Sequence, residues 1–154
     1  MADIIIAKTR EEYAAAAALF RQYADWLNID LSFQQFDEEM KQLEVMYGLP
    51  TGAILLYMQE NVFGACVAIR AMNREIAELK RMYVLPSLQG KGIGNILLEE
   101  AFAIALKLGY KTIRLDTLDT MTAAITLYKK NGFKEIPAYY FNPNVNTVYF
   151  EKSL

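Results

Sequence analysis

Histidine is absent from this 154-residue chain, and with it go the commonest general base, every Ser-His-Asp or Cys-His nucleophile pair and all imidazole metal sites. Acid–base chemistry is left to Glu, Asp, Tyr and Lys. A single cysteine, Cys66, allows neither an internal disulfide nor a thiolate zinc cage, which suits a reducing compartment. Positive charge is not in excess either: 16 Lys+Arg face 18 Asp+Glu, giving a net charge of −2 and a pI near 5.2, too little to neutralise a phosphate backbone. Nucleic acid is not an expected partner. Long apolar runs are lacking; Ala14–Phe20 spans only seven residues, against the roughly 20 that cross a bilayer. The stretch Met1–Lys8 carries Asp3 where an export signal needs positive charge. The expectation is a soluble cytoplasmic protein with no membrane partner and no metal.

What is present suffices for a packed core. Hydrophobic residues make up 54%, aromatics 12% and charged residues 22%, with a mean hydropathy of +0.10, far from the signature of disorder. A chain of this length buries roughly 70% of its unfolded surface, so one domain over residues 1–154 is expected. Ile4–Ile6 reads as a strand, and Thr9-Arg10-Glu11-Glu12 is a capping box opening a helix to about Leu27. A second helix is expected over Phe36–Met46, with residues 28–35 as the link. Ile54–Met58 and Val62–Arg70 flank a polar turn and read as a hairpin. Ile76–Val84 follows as a strand whose alternation puts Ile76, Glu78, Lys80, Met82 and Val84 on one face. Then come a helix at Asn95–Leu108, a strand at Lys111–Asp116, a helix at Thr120–Lys130, and strands at Phe133–Ile136 and Asn146–Lys152. The order β-α-α-β-β-β-α-β-α-β-β implies an α/β fold with a mixed sheet, since a strand–helix–strand unit is parallel and a hairpin antiparallel.

Between the strand ending at Val84 and the next helix lies Gln89-Gly90-Lys91-Gly92-Ile93-Gly94. Glycines there let backbone N–H groups turn toward a ligand, and the helix N-terminus adds roughly half a positive charge. The arrangement suits a pyrophosphate, although a tight turn that needs glycine only for its geometry gives the same pattern. Two familiar phosphate loops do not match. Lys91 is followed by Gly92 and not by Ser or Thr, and the third glycine of a dinucleotide fingerprint comes one residue early, at Gly94.

Gln89-x-x-Gly92-x-Gly94, preceded by Met82-Tyr83-Val84, resembles the acetyl-CoA-binding motif of the GCN5-related N-acetyltransferase (GNAT) superfamily. Ala124-x-x-Leu127-Tyr128-Lys129-Lys130-Asn131-Gly132-Phe133 is similar to that superfamily's C-terminal helix-and-strand motif. The likeness is strong from Val62 to Ile136. It implies that Met82, Tyr83 and Val84 pair through their backbones with the pantetheine arm, where two strands splay apart. It also implies that the amides of Gln89, Gly90, Lys91, Gly92, Ile93, Gly94 and Asn95 hold the pyrophosphate, with Lys91 adding charge.

Acetyl transfer from a thioester to an amine needs a neutral amine, stabilisation of an oxyanion and a proton for the thiolate. Glu78 is the candidate base; its other reading is a salt-bridged strand glutamate beside Lys80 or Arg81. The resemblance assigns the Met82 N–H to the thioester carbonyl and Tyr128 to the departing thiolate, while a buried aromatic is the plainer reading of Tyr128. Where many members carry asparagine seven residues before that tyrosine, this chain has Met121, with Thr117 or Thr120 as substitutes. Cys66 reads as a core residue. Tyr139, Tyr140 and Asn142 form an aromatic loop expected to bind substrate or to close the core. The implied activity is acetyl transfer from acetyl-CoA to a primary amine of a small molecule or amino acid, with a peptide amine second. A second copy of the chain is a further candidate partner. An acyl-CoA-sensing module without turnover, and a nucleotide-binding enzyme, are the competing classes.

Overall fold

The computed structural model describes residues 2–28 and 35–154, so most of the expected 28–35 link lies outside the described residues. Helix α1 (Arg10–Leu27) begins where the capping box predicts: the Thr9 hydroxyl accepts from the Glu12 amide at 3.1 Å, and the Glu12 carboxylate accepts from the Thr9 and Lys8 amides at 2.9 and 2.8 Å. The single helix expected over Phe36–Met46 is instead two short ones, α2 (Phe36–Lys41) and α3 (Leu43–Met46), broken at Gln42, whose φ of −133° leaves the helical region.

Seven strands form one mixed sheet: β1 (Ala2–Ile6), β2 (Ala53–Gln59), β3 (Val62–Ala71), β4 (Ile76–Val84), β5 (Thr112–Leu118), β6 (Lys134–Ile136) and β7 (Thr147–Ser153), in the order β1-β2-β3-β4-β5-β7-β6. The hairpin turn is Glu60-Asn61, both at positive φ, as a two-residue turn between twisted strands demands. Only β4 and β5 are parallel, joined by α4 (Ile93–Lys107); α5 (Thr122–Lys130) follows β5. One face of the sheet packs on α4 and α5 through Leu55, Val67, Ile69, Leu79, Leu97 and Ile113, the other on α1 through Ile54, Leu56, Cys66, Ala68 and Phe20. No described helix is long and apolar enough to cross a membrane.

Two irregularities in β4 make a site. The first is its parting from β5: pairing runs from Ile76–Thr112 to Glu78–Arg114 and stops, although β4 continues to Val84 and β5 to Leu118. The second is a bulge. Register against β3 runs Ile69–Leu79, Ala68–Lys80 and then Cys66–Tyr83, so an extra β4 residue is accommodated and Arg81 sits at φ +58°. The alternation read from the sequence therefore holds only to Lys80. Glu78 and Lys80 face α1 with Ala68 and Cys66, whereas Met82 and Val84 pack toward α4, and Glu78 and Met82 do not share a face.

Arg81 is held in this conformation by a buried ion pair. Its Nε and Nη2 donate to the two carboxylate oxygens of Glu39 on α2 at 2.9 and 2.8 Å, and the Cys66 thiol donates to its carbonyl at 3.2 Å. Burial alone would raise the Glu39 carboxyl, but the Arg81 hydrogen bonds and charge outweigh it and hold it below its ordinary value near 4.5. Removing one partner strands the other charge, so Glu39→Ala is expected to lower unfolding stability by about 3 kcal/mol or more in urea titrations, and Glu39→Leu with Arg81→Met to recover much of it. Because the folded-state value is depressed, the pair's contribution is present above pH 4.5 and is lost as pH falls through the lowered value. Melting temperature below pH 4.5 should accordingly fall more steeply in the native chain than in Glu39→Gln.

Candidate active site

The glycine loop uses its glycines in two ways. Gly90 and Gly92 have φ of +79° and +80°, and a Cβ on either would meet nothing within 4 Å, so backbone conformation and not space selects them. At Gly94 a Cβ would come within 3.1 Å of the Leu127 side chain and 3.3 Å of Met82 Cε, so its smallness lets α4 approach α5 and β4. Helix α4 starts at Ile93, two residues earlier than the sequence suggested, with Gly92 as its N-cap and no side-chain cap. Its first amides are thus free of a competing side-chain acceptor, and the helix dipole favours an anion there. The Gln89 side chain donates to the Val84 carbonyl at 3.0 Å, tying the loop to the end of β4. Asn95 accepts from Asn131 Nδ2 at 3.0 Å and donates to Glu99, which joins the first turn of α4 to the end of α5. Lys91 is exposed on the loop.

A cavity opens where β4 and β5 part, lined by Leu79–Met82 of β4, Leu115–Leu118 of β5, Tyr23 of α1, Tyr128 of α5 and Asn142. Tyr128 and Met82 come together in it, the hydroxyl lying 3.9 Å from Met82 Sδ. The Tyr128 ring is packed edge-on against Phe133 with centroids 5.6 Å apart. Burial, reinforced by Tyr23 and Asp116, pushes the Tyr128 phenol well above its ordinary value of 10.0 and keeps it protonated. Tyr83 is on the α1 side, against Tyr23 and Trp26. Cys66 is a core thiol pushed up by burial, as a nucleophile would not be. Met121 stands at the N-cap of α5 without a side-chain cap; of its two suggested substitutes, Thr117 lines the cavity and Thr120 does not.

Glu78 is held apart from this cavity. Its carboxylate accepts from the Tyr139 hydroxyl at 2.9 Å and lies 3.7 Å from Arg70 Nε, so it is salt-bridged, but to Arg70 across the strand pair and not to the expected Lys80 or Arg81. The aromatic loop both closes the core and borders the cavity: Tyr139, Tyr140 and Tyr149 form a cluster with centroids 5.1 to 5.6 Å apart, and Asn142 reaches the cavity wall. Sequence reasoning missed Asp116 and passed over Lys80. Asp116 is the acidic residue in the cavity lining, and its carboxylate accepts from the Tyr140 hydroxyl at 2.6 Å. Its position two residues after Arg114 on a strand was readable; that this strand edge fronts the cavity was not. Among the described residues no group of three or more His, Cys, Asp or Glu is placed to hold a metal.

The model of the acetyltransferase (GNAT) family matches residues 6–133. An uncharacterised N-acetyltransferase of Schizosaccharomyces pombe is 38% identical over 133 residues, covering 85% of this chain and 82% of that one. A GNAT-family acetyltransferase of Staphylococcus aureus superposes with a TM-score of 0.83 at 19% identity over 99% of each chain. Another, from Elizabethkingia anophelis with acetyl-CoA bound, gives 0.66 at 18% identity over 99% of this chain and 98% of that one. This chain belongs to the GNAT family and is an acetyltransferase, whose fold is one that uses acetyl-CoA. The expected α/β acyl-CoA N-acyltransferase architecture is the one observed.

Gly92→Glu is expected to abolish CoA binding in isothermal titration, because its carboxylate would stand at the anion end of α4. A Cβ at φ +80° adds only about 1–2 kcal/mol of strain, so the variant should still unfold cooperatively.

Proposed function

We propose that residues 1–154 form one acetyltransferase unit that moves the acetyl group of acetyl-CoA directly to the primary amine of a small molecule or amino acid. The observation that carries this reading is the cavity between β4 and β5, which Tyr128, Met82 and Asp116 all line. Acetyl-CoA supplies the activated acyl group. Beyond Glu78 β4 no longer pairs with β5, so the backbone of Met82, Tyr83 and Val84 offers a strand edge to its arm, with the Val84 carbonyl held by the Gln89 side chain. The amides from Gln89 to Asn95, with Lys91, offer charge to its pyrophosphate.

The chain's own groups then divide the work. Asp116 receives the acceptor ammonium and accepts its proton, directly or through water, so that nitrogen attacks the carbonyl carbon with a free lone pair. The Met82 N–H donates to the carbonyl oxygen as it gains charge. As the carbon–sulfur bond breaks, Tyr128 donates its proton to the thiolate. Glu78 is a positioning residue that holds Tyr139 against Tyr140, which in turn holds Asp116.

Tyr128→Phe keeps the ring and removes the proton, so turnover followed by free thiol release should fall roughly 10²-fold or more with CoA affinity little changed. A lower melting temperature with near-native turnover would assign Tyr128 to packing. Because burial raises this phenol, the native kcat profile should show no descending limb from it below pH 10.0. Asp116→Asn should lose more activity near neutral pH than at alkaline pH, where solvent already deprotonates the acceptor.

A further inference from the structure

The face of the sheet toward α1 carries four cations and four anions on or against its central strands, and three pairs of them cancel. Arg70 lies 3.7 Å from Glu78, Arg81 2.8 Å from Glu39, and Arg114 2.7 Å from Glu151. Two charges are left over, Lys80 and Asp116, and both line the cavity. Among the described residues Lys80 has no hydrogen bond or ion pair; the carboxylates whose fields reach it, Glu78, Glu39 and Asp116, are engaged by Arg70 and Tyr139, by Arg81, and by Tyr140. Asp116 in turn has the neutral Tyr140 hydroxyl and not a cation.

A partly buried ammonium with no ion-pair partner is unfavourable, and here burial and the neighbouring Arg81 charge push the Lys80 pKa down against the opposing fields of Glu78, Glu39 and Asp116. An arriving carboxylate reverses that penalty. The bulge at Arg81 decides which ligand benefits. It turns Lys80 to the α1 face while Met82 packs toward α4, so Lys80 lies on the side away from the Met82 and Tyr128 side chains. Lys80 and Asp116 stand on β4 and β5, across the splay from each other.

We infer that the acceptor is a free amino acid, its ammonium received by Asp116 and its carboxylate by Lys80. This rests on the acetyltransfer reading above and narrows its acceptor to a zwitterion. A protein lysine or a polyamine, with no free carboxylate near the amine, leaves Lys80 unpaired.

The test is titration of CoA-saturated protein with free α-, β- and γ-amino acids, each beside its amide and its decarboxylated amine. At least one acid is expected to bind roughly tenfold or more tightly than its amide, the scale of a charged hydrogen bond. In Lys80→Met that ratio should fall to near one, and Lys80→Arg should keep most of it. Lys80→Met removes an unpaired charge, so the ligand-free variant should melt no lower than the native chain. An amide or decarboxylated amine that binds as tightly as the best acid, an unaltered ratio in Lys80→Met, or no binding by any acid would each overturn the proposal. Protein that takes CoA and ignores every acid loses only this inference. Protein that does not take CoA loses the transfer reading beneath it.

Discussion

The Arg81–Glu39 ion pair is the constraint on which the cleft depends. A non-glycine residue at φ +58° costs about 1–3 kcal/mol, and a buried guanidinium without an anion costs more. Glu39 meets both needs from α2 with two hydrogen bonds, while Phe36 on the same helix lies 5.2 Å under the guanidinium. The Cys66 thiol satisfies the Arg81 carbonyl. One strand thereby serves two surfaces: Glu78, Lys80 and then Tyr83 face α1, and Ala77, Leu79, Met82 and Val84 face α4. In an unbroken strand Lys80 and Met82 would point the same way, and the cavity would lose its division into two sides.

The parting of β4 and β5 supplies the space. Parallel pairing of three residues at the start is enough to align the strands, and α4 with its glycine loop spans the gap at their ends. Gly94 contributes by absence of a side chain, since a Cβ there would come within 3.1 Å of Leu127 and 3.3 Å of Met82, and those side chains would have to yield. The same contact brings Tyr128 beside Met82, so the glycine loop and the Tyr128 phenol are positioned by one packing arrangement.

Lack of histidine shapes the electrostatics throughout. Tyrosines replace it as donors, and burial keeps them protonated: Tyr23 is pushed up to about 12, and Tyr128, Tyr139 and Tyr140 are pushed up as well. Phenols of this kind donate hydrogen bonds to Glu78 and Asp116 without cancelling their charge, as a cation would. Asp116 thus forms no ion pair among the described residues, whereas Glu78 lies 3.7 Å from Arg70.

The element order apart from the break at Gln42, the mixed sheet, the capping box at Thr9 and the glycine loop were legible in the sequence because each follows from local patterns: alternation of two, a helical repeat, a cap, a turn residue. Family membership was legible for the same reason, since its motifs are short and contiguous. Tertiary structure alone decided the charges. A bulge at Arg81 depends on Glu39, 42 residues away, and on Cys66 across the sheet, and no periodicity in Ile76–Val84 announces it. It reversed the expectation that Glu78 and Met82 share a face. Whether a carboxylate is spent on a neighbour or left for a ligand is likewise a matter of distance between strands: Glu78 meets Arg70 and Tyr139, Asp116 meets Tyr140, and Lys80 meets no anion among the described residues. Local pattern sets which residues alternate, and only packing sets what stands opposite them.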